Sequence, residues 1–163
     1  MSLATSGLVL SVLAISPSKV LADLEKNHSA SAASATISDR EVEKLGQNWG
    51  TALASRDPDQ IVSLYDKDAV LLATFNNELN TPDSIKEYFV GLTKKPDLKV
   101  VFNNQNVRVL DENTATNSGL YTFSYSDNGK TVEVPARYTF LYEKRGDRWM
   151  IVKHHSSTRP ENK

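Results

Sequence analysis

The sequence predicts an α+β domain, with about three N-terminal helices packed on one face of a strongly curved, mostly antiparallel sheet. Three observations carry this expectation. Before Pro96, three segments of helical periodicity each begin with a capping signal. After Pro96, five β-rich runs succeed one another. Two of the breaks between those runs, Asp127-Asn-Gly129 and Arg145-Gly-Asp147, have the composition of hairpin turns.

The first helix is expected over residues 39–55. Ser38-Asp-Arg-Glu41 is a capping box, in which the Ser38 hydroxyl takes the Glu41 N–H and the Glu41 carboxylate reaches back. Val42, Leu45, Trp49, Ala52 and Leu53 then fall on one face, which makes Trp49 a core residue. A second helix opens at Asp57-Pro58, with Asp57 as N-cap and Ile61, Leu64 and Tyr65 on its apolar side. Ala69 to Thr74 reads as a short buried strand, and Asn76-Asn77 suits a turn. Thr81-Pro82 opens the third helix, with Ile85, Tyr88, Phe89 and Leu92 on one face. The β-rich runs are Lys99–Phe102, Asn106–Leu110, Thr114–Ser126, Thr131–Lys144 and Arg148–Ser157.

The foldable part is residues 38–160. Ahead of it, 23–37 is Ser/Ala-rich with almost no large apolar side chain, and is expected to be a disordered linker. Residues 1–22 contain an apolar run, Leu8–Ile15, too short for the roughly 20 residues that span a bilayer. Val20-Leu-Ala22 resembles a leader-cleavage site, so a signal peptide lacking its charged start, and a periplasmic or secreted mature chain, are expected. The alternatives are a disordered or interfacial N-terminus and a cytoplasmic chain.

Composition narrows the function classes. A net charge of -1, with Lys and Arg scattered, gives no footprint for nucleic acid or an anionic membrane. The absence of cysteine excludes disulfides, thiolate chemistry and Cys-based zinc sites. Of three histidines, His28 lies in the linker, and the adjacent pair His154 and His155 point to opposite faces of a strand. No metal and no cofactor is therefore expected.

The candidate site lies at the end of the last hairpin. With Arg145-Gly146 as a two-residue turn, Tyr142 would face Trp149, Phe140 would face Ile151, and Arg137 would face His154. One sheet face would then carry Tyr138, Phe140, Tyr142, Trp149, Ile151 and His155. The other would bring together Arg137, His154 and Ser156, a guanidinium, an imidazole and a hydroxyl suited to a carboxylate or other small anion. A three-residue turn would bring His155 to that face instead. The plainer alternatives are an ion pair of Arg137 with Glu133, Glu143 or another subunit, a hydrogen-bonded core or interface histidine beside a surface one, and Ser156 and Ser157 bonded to backbone. Tyr65, Tyr88, Tyr121 and Tyr125 either line a pocket or pack in the core with satisfied hydroxyls. The candidate ligand-binding set is Arg137, His154, His155, Ser156, Tyr88 and Tyr121. The acids nearest a cavity, Asp68, Glu78 and Asp83, are not embedded in an apolar strand, so no carboxylate–histidine dyad is expected.

The ordered set Trp49, Leu53 and Asp57; Ile61 to Tyr65; Asp68 to Leu72; Thr81-Pro82, Ile85 and Tyr88-Phe89; Ser118-Gly119 and Tyr121 to Phe123; Ala136 to Phe140; and Gly146, Trp149, Ile151 and His154 to Ser157 resembles the nuclear transport factor 2-like (SnoaL-like) superfamily. Within it, the chain resembles bacterial proteins related to the association (hub) domain of calcium/calmodulin-dependent protein kinase II. The resemblance implies a cone fold and self-association through the sheet, as a homodimer or a larger ring, with the aromatic face Tyr138/Phe140/Tyr142/Trp149 as the expected dimer contact. The kinase signatures, a Gly-rich loop, His-Arg-Asp and Asp-Phe-Gly, are absent from the sequence, so no kinase activity is expected. Fold does not choose function here. Three readings follow: a stand-alone hub-like oligomerisation domain with a pocket for a small anion; an isomerase, cyclase or dehydratase using a pocket histidine as base and Arg137 as clamp; and a protein-binding adaptor.

Overall fold

The structure is a computed structural model and describes residues 36–74 and 76–160. The expected leader at 1–22 and nearly all of the expected linker at 23–37 lie outside the described residues. Helix α1 (Asp39–Ser55) starts at the predicted capping box, with Ser38 N–H donating to Glu41 Oε2 at 2.8 Å. Arg56, in the left-handed region at φ 59°, ends it. Helix α2 (Pro58–Val62) is capped by Asp57, whose Oδ1 accepts from Asp59 N–H at 2.9 Å. Strand β1 (Tyr65–Leu72) and the short β2 (Glu78–Leu79) precede helix α3 (Pro82–Leu92), where Thr81 Oγ1 accepts from Ser84 N–H at 3.2 Å. The meander is β3 (Lys99–Val109), β4 (Thr114–Asp127), β5 (Lys130–Arg145) and β6 (Arg148–Thr158).

These six strands form one sheet in the order β2-β1-β6-β5-β4-β3. All neighbours are antiparallel except β1 and β6, which are parallel. Two boundaries differ from the sequence expectation. The first strand begins at Tyr65 rather than Ala69, because Tyr65 already pairs with Ile151 of β6. The two runs expected over 99–102 and 106–110 are one strand, β3, with a register shift between Phe102 and Asn104.

The inner face of the sheet holds the core. Tyr121, Ala136, Tyr138, Phe140, Tyr142 and Ile151 are buried there against Val42, Trp49 and Leu53 of α1, Ile61 of α2, and Ile85 and Phe89 of α3. Helix α1 comes close to β3 through its small residues: a Cβ on Gly50 would lie 3.1 Å from Val100 Cγ1. At full burial each large apolar side chain contributes about 1.5–3 kcal/mol, so this layer contact is what holds the helices on the sheet.

Candidate functional site

The β5–β6 hairpin turns at Gly146-Asp147, with Arg145 opposite Arg148 and Tyr142 opposite Ile151. Continued without interruption, that register would set Phe140 opposite Lys153 and Tyr138 opposite His155. Instead Leu141 pairs with Lys153 and Phe140 with His154, so Val152 is an extra residue in β6. A bulge of this kind reverses which side chains beyond it face inward. His154 and Ser156 therefore lie on the buried aromatic face, 3% and 7% exposed, while His155 and Ser157 lie on the outer face.

The bulge overturns the expected Arg137–His154–Ser156 cluster. Arg137 is exposed on the outer face, opposite Ser157, and its Nε donates to Ser157 Oγ at 3.2 Å. The guanidinium expected to clamp an anion is thus on the far side of the sheet from His154. Of the ion-pair partners considered for Arg137, Glu143 bonds Arg145 instead, at 2.6 Å, and Arg145 also bonds Asp66 at 2.9 Å. The expected aromatic dimer contact is also corrected: Tyr138, Phe140 and Tyr142 are buried under the helices, and Trp149 is half-buried beside them. Four of the six candidate residues, His154, Ser156, Tyr88 and Tyr121, do line one cavity, and Arg137 and His155 do not.

A hydrogen-bonded ladder runs through this interior. Trp49 Nε1 donates to Tyr65 Oη at 3.0 Å. The same oxygen lies 2.7 Å from His154 Nδ1. The indole N–H can only donate, so the Tyr65 hydroxyl has its own proton free for Nδ1. His154 then carries its hydrogen on Nε2, and among the described residues that atom has no partner. Alongside, Tyr121 Oη donates to Ser156 Oγ at 2.7 Å, and Ser156 Oγ is 2.7 Å from Thr74 Oγ1. Ser156 thus bonds side chains rather than the backbone partners expected at a strand end.

The electrostatics keep the ladder neutral. Burial pushes the His154 imidazole down to about 3, with the nearby His155 adding to the effect. Burial likewise raises the Tyr65 and Tyr121 phenols well above their ordinary value. The aromatic walls are close: Phe140 and Trp49 ring centroids lie 4.3 and 5.2 Å from that of His154.

Two spaces adjoin this ladder. The inner one, about 10 Å³, is bounded by Trp49, Tyr88, Phe89, Tyr121, His154 and Ser156. The outer one, about 290 Å³, is lined by Thr74, Tyr88, Lys95, Phe123, Tyr125 and Val134. Tyr88, Leu92 and Phe123 are walls of both. Lys95 stands at the outer space with Nζ 3.9 Å from the centre of the Tyr125 ring. Of the expected tyrosines, Tyr88 and Tyr125 line the outer space, while Tyr65 and Tyr121 belong to the ladder. Asp68, Glu78 and Asp83 are all exposed and take no part. Sequence reasoning missed Thr74, Lys95 and Phe123, which come together only in three dimensions, from the segment after β1, the segment after α3, and β4. Larger depressions along α3 (about 630 Å³) and between α1 and β3 (about 480 Å³) lie apart from the ladder. Among the described residues, no group of His, Asp or Glu is placed to hold a metal ion.

Comparisons with known proteins agree with this architecture. The family model of the calcium/calmodulin-dependent protein kinase II association domain matches residues 38–160. A crystal structure from Xanthomonas campestris, described as that association domain, is 42% identical with a TM-score of 0.74, covering 78% of this chain and 92% of that one. The hub homology domain from Chlamydomonas reinhardtii is 23% identical with a TM-score of 0.65, over 74% of this chain and 98% of that one. A protein from Novosphingobium aromaticivorans described as a scytalone dehydratase shares the fold at 15% identity and a TM-score of 0.64, over 74% of this chain and 83% of that one. No curated protein matches the chain. With the family model spanning the whole described domain, the chain belongs to the calcium/calmodulin-dependent protein kinase II association-domain family.

Proposed function

We propose that the chain is a stand-alone, self-associating domain whose interior holds a small molecule. The observation that carries the pocket is the pairing of an apolar chamber with a buried polar ladder at its inner end, a combination typical of small-molecule sites. The unpartnered Nε2–H of His154 costs about 1–3 kcal/mol when nothing accepts it, so an acceptor there is stabilising.

Binding is favoured over proton transfer. A general base works best with a pKa near the operating pH, and His154, held at about 3, is too weak a base. No carboxylate lines either space, and Arg137, the expected clamp, faces away. The expected small anion loses the same guanidinium.

Self-association is supported by the family and by the outer sheet face, where Leu72 (44% exposed) and Val101 (55%) stand with the half-buried Leu120 and Leu141. This face replaces the aromatic one as the proposed contact between copies. The pocket is tested by titrating the full chain with small neutral fragments and following the Tyr88 and Phe123 ring resonances by NMR. Saturable shifts that disappear in Val134→Trp, which fills the outer chamber, support the reading; the absence of saturable shifts with any fragment overturns it.

A further inference from the structure

The two chambers differ in a way that restricts what they admit. The outer one is wide and mostly apolar, with Thr74 at its edge and a cation, Lys95, already seated on Tyr125. The inner one, about 10 Å³, has room for about one water-sized group. The polar side chains lining it are Trp49, whose indole N–H is spent on Tyr65, with Tyr88, Tyr121, Ser156 and His154. The Tyr121 hydrogen is spent on Ser156, and Ser156 is shared with Thr74. His154 Nδ1 is spent on Tyr65. Among the described residues the buried side-chain atoms without a partner are His154 Nε2–H and Tyr142 Oη, and of the two only His154 lines this chamber.

Unlike the hydroxyls around it, this Nε2–H can only donate, so it selects for an acceptor. It does not select for charge, because a carboxylate entering the inner space would leave water and meet no counter-ion there. Lys95 is the one charged residue among those lining either chamber, and it belongs to the outer one.

Resting on the pocket reading above, we infer that the site is specific for neutral small molecules bearing a carbonyl-type acceptor: the apolar body occupies the outer chamber, and the carbonyl oxygen enters the inner space to accept the His154 Nε2–H. Tyr88, Leu92 and Phe123, common to both chambers, form the neck through which the oxygen passes. Tyr65 acts as a positioning residue, since its hydroxyl holds the imidazole in the tautomer that presents Nε2–H.

The test uses the full chain at neutral pH and three probes of one shape: cyclohexanone, methylenecyclohexane and cyclohexanecarboxylate. Long-range ¹H–¹⁵N NMR of the histidine side chains reports the tautomer and the Nε2–H shift. Cyclohexanone is expected to move the His154 Nε2–H resonance downfield and to bind about tenfold more tightly than methylenecyclohexane, the scale of one buried hydrogen bond. The carboxylate is expected to be the weakest, and His154→Phe is expected to erase the preference for the ketone. If His154→Phe does not fold, the Nε2–H shift in the wild-type chain decides. The inference is overturned if the carboxylate binds best, if the ketone preference survives in His154→Phe, or if the ketone binds without moving the Nε2–H, which would leave a trapped water as its partner. If none of the three probes binds, the pocket reading itself falls.

Discussion

The Tyr65 hydroxyl lies 2.7 Å from His154 Nδ1, joining the start of β1 to the end of β6 across 89 residues of sequence. Trp49 Nε1 donates to the same oxygen from α1 at 3.0 Å, so one hydroxyl ties a helix and two strands together. Tyr65→Phe leaves the Trp49 N–H and the His154 Nδ1 unpaired in the core. The expected cost is about 1–3 kcal/mol per orphaned group, measured as a lower urea midpoint with an unchanged slope. A midpoint equal to that of the wild type would show that the two bonds contribute nothing.

The buried imidazole also makes stability depend on pH. His154 titrates near 3 in the fold against an ordinary value of 6.5. Between those values the unfolded chain binds a proton that the folded one refuses, so stability falls as pH falls through this window, by up to about 1.4 kcal/mol per pH unit. The denaturation midpoint should therefore drop from pH 7 to pH 5, before most carboxylates titrate. In a folded His154→Phe variant the dependence over that range should flatten.

Gly119 on β4 sits where β3 changes register, and a Cβ there would lie 2.3 Å from the backbone oxygen of Asn104. Because the obstacle is backbone, Gly119→Ala must displace β3, at a cost of about 1–3 kcal/mol for overpacking. Thermal unfolding reads this directly, and Gly91→Ala, where a Cβ would meet nothing within 4 Å, is the control that should be neutral or stabilising.

Leu141 alternates with the inward-facing Phe140 and Tyr142, and so lies on the outer face between Thr116 and Lys153. Leu141→Glu puts a charge in the proposed contact between copies without entering the core. The variant should elute as a smaller species with an unchanged circular dichroism spectrum. An unchanged elution volume would move the contact to another face.

Much of the fold can be read along the chain, because its signals are local. The caps at Ser38, Asp57 and Thr81 and the turns at Asn128-Gly129 and Gly146-Asp147 each depend on a few adjacent residues. The site depends on what is not local. The Val152 bulge has no compositional mark, yet it decides that His154 rather than His155 faces inward and that Arg137 shares no face with it. The burial of Tyr65 against His154 requires the parallel β1–β6 pairing, which joins the first strand to the last. Tyr88 and Tyr121 are legible as pocket candidates, together with Tyr65 and Tyr125, because the fold the sequence resembles lines its sites with tyrosine hydroxyls; Thr74 and Lys95 carry no comparable signal.

The proposed role stands first on self-association, and the mass of the particle in solution tests that most directly. Multi-angle light scattering of the full chain at micromolar concentration should give an integral multiple, two or more, of the 18.1 kDa subunit mass. A monodisperse particle of 18.1 kDa would contradict it.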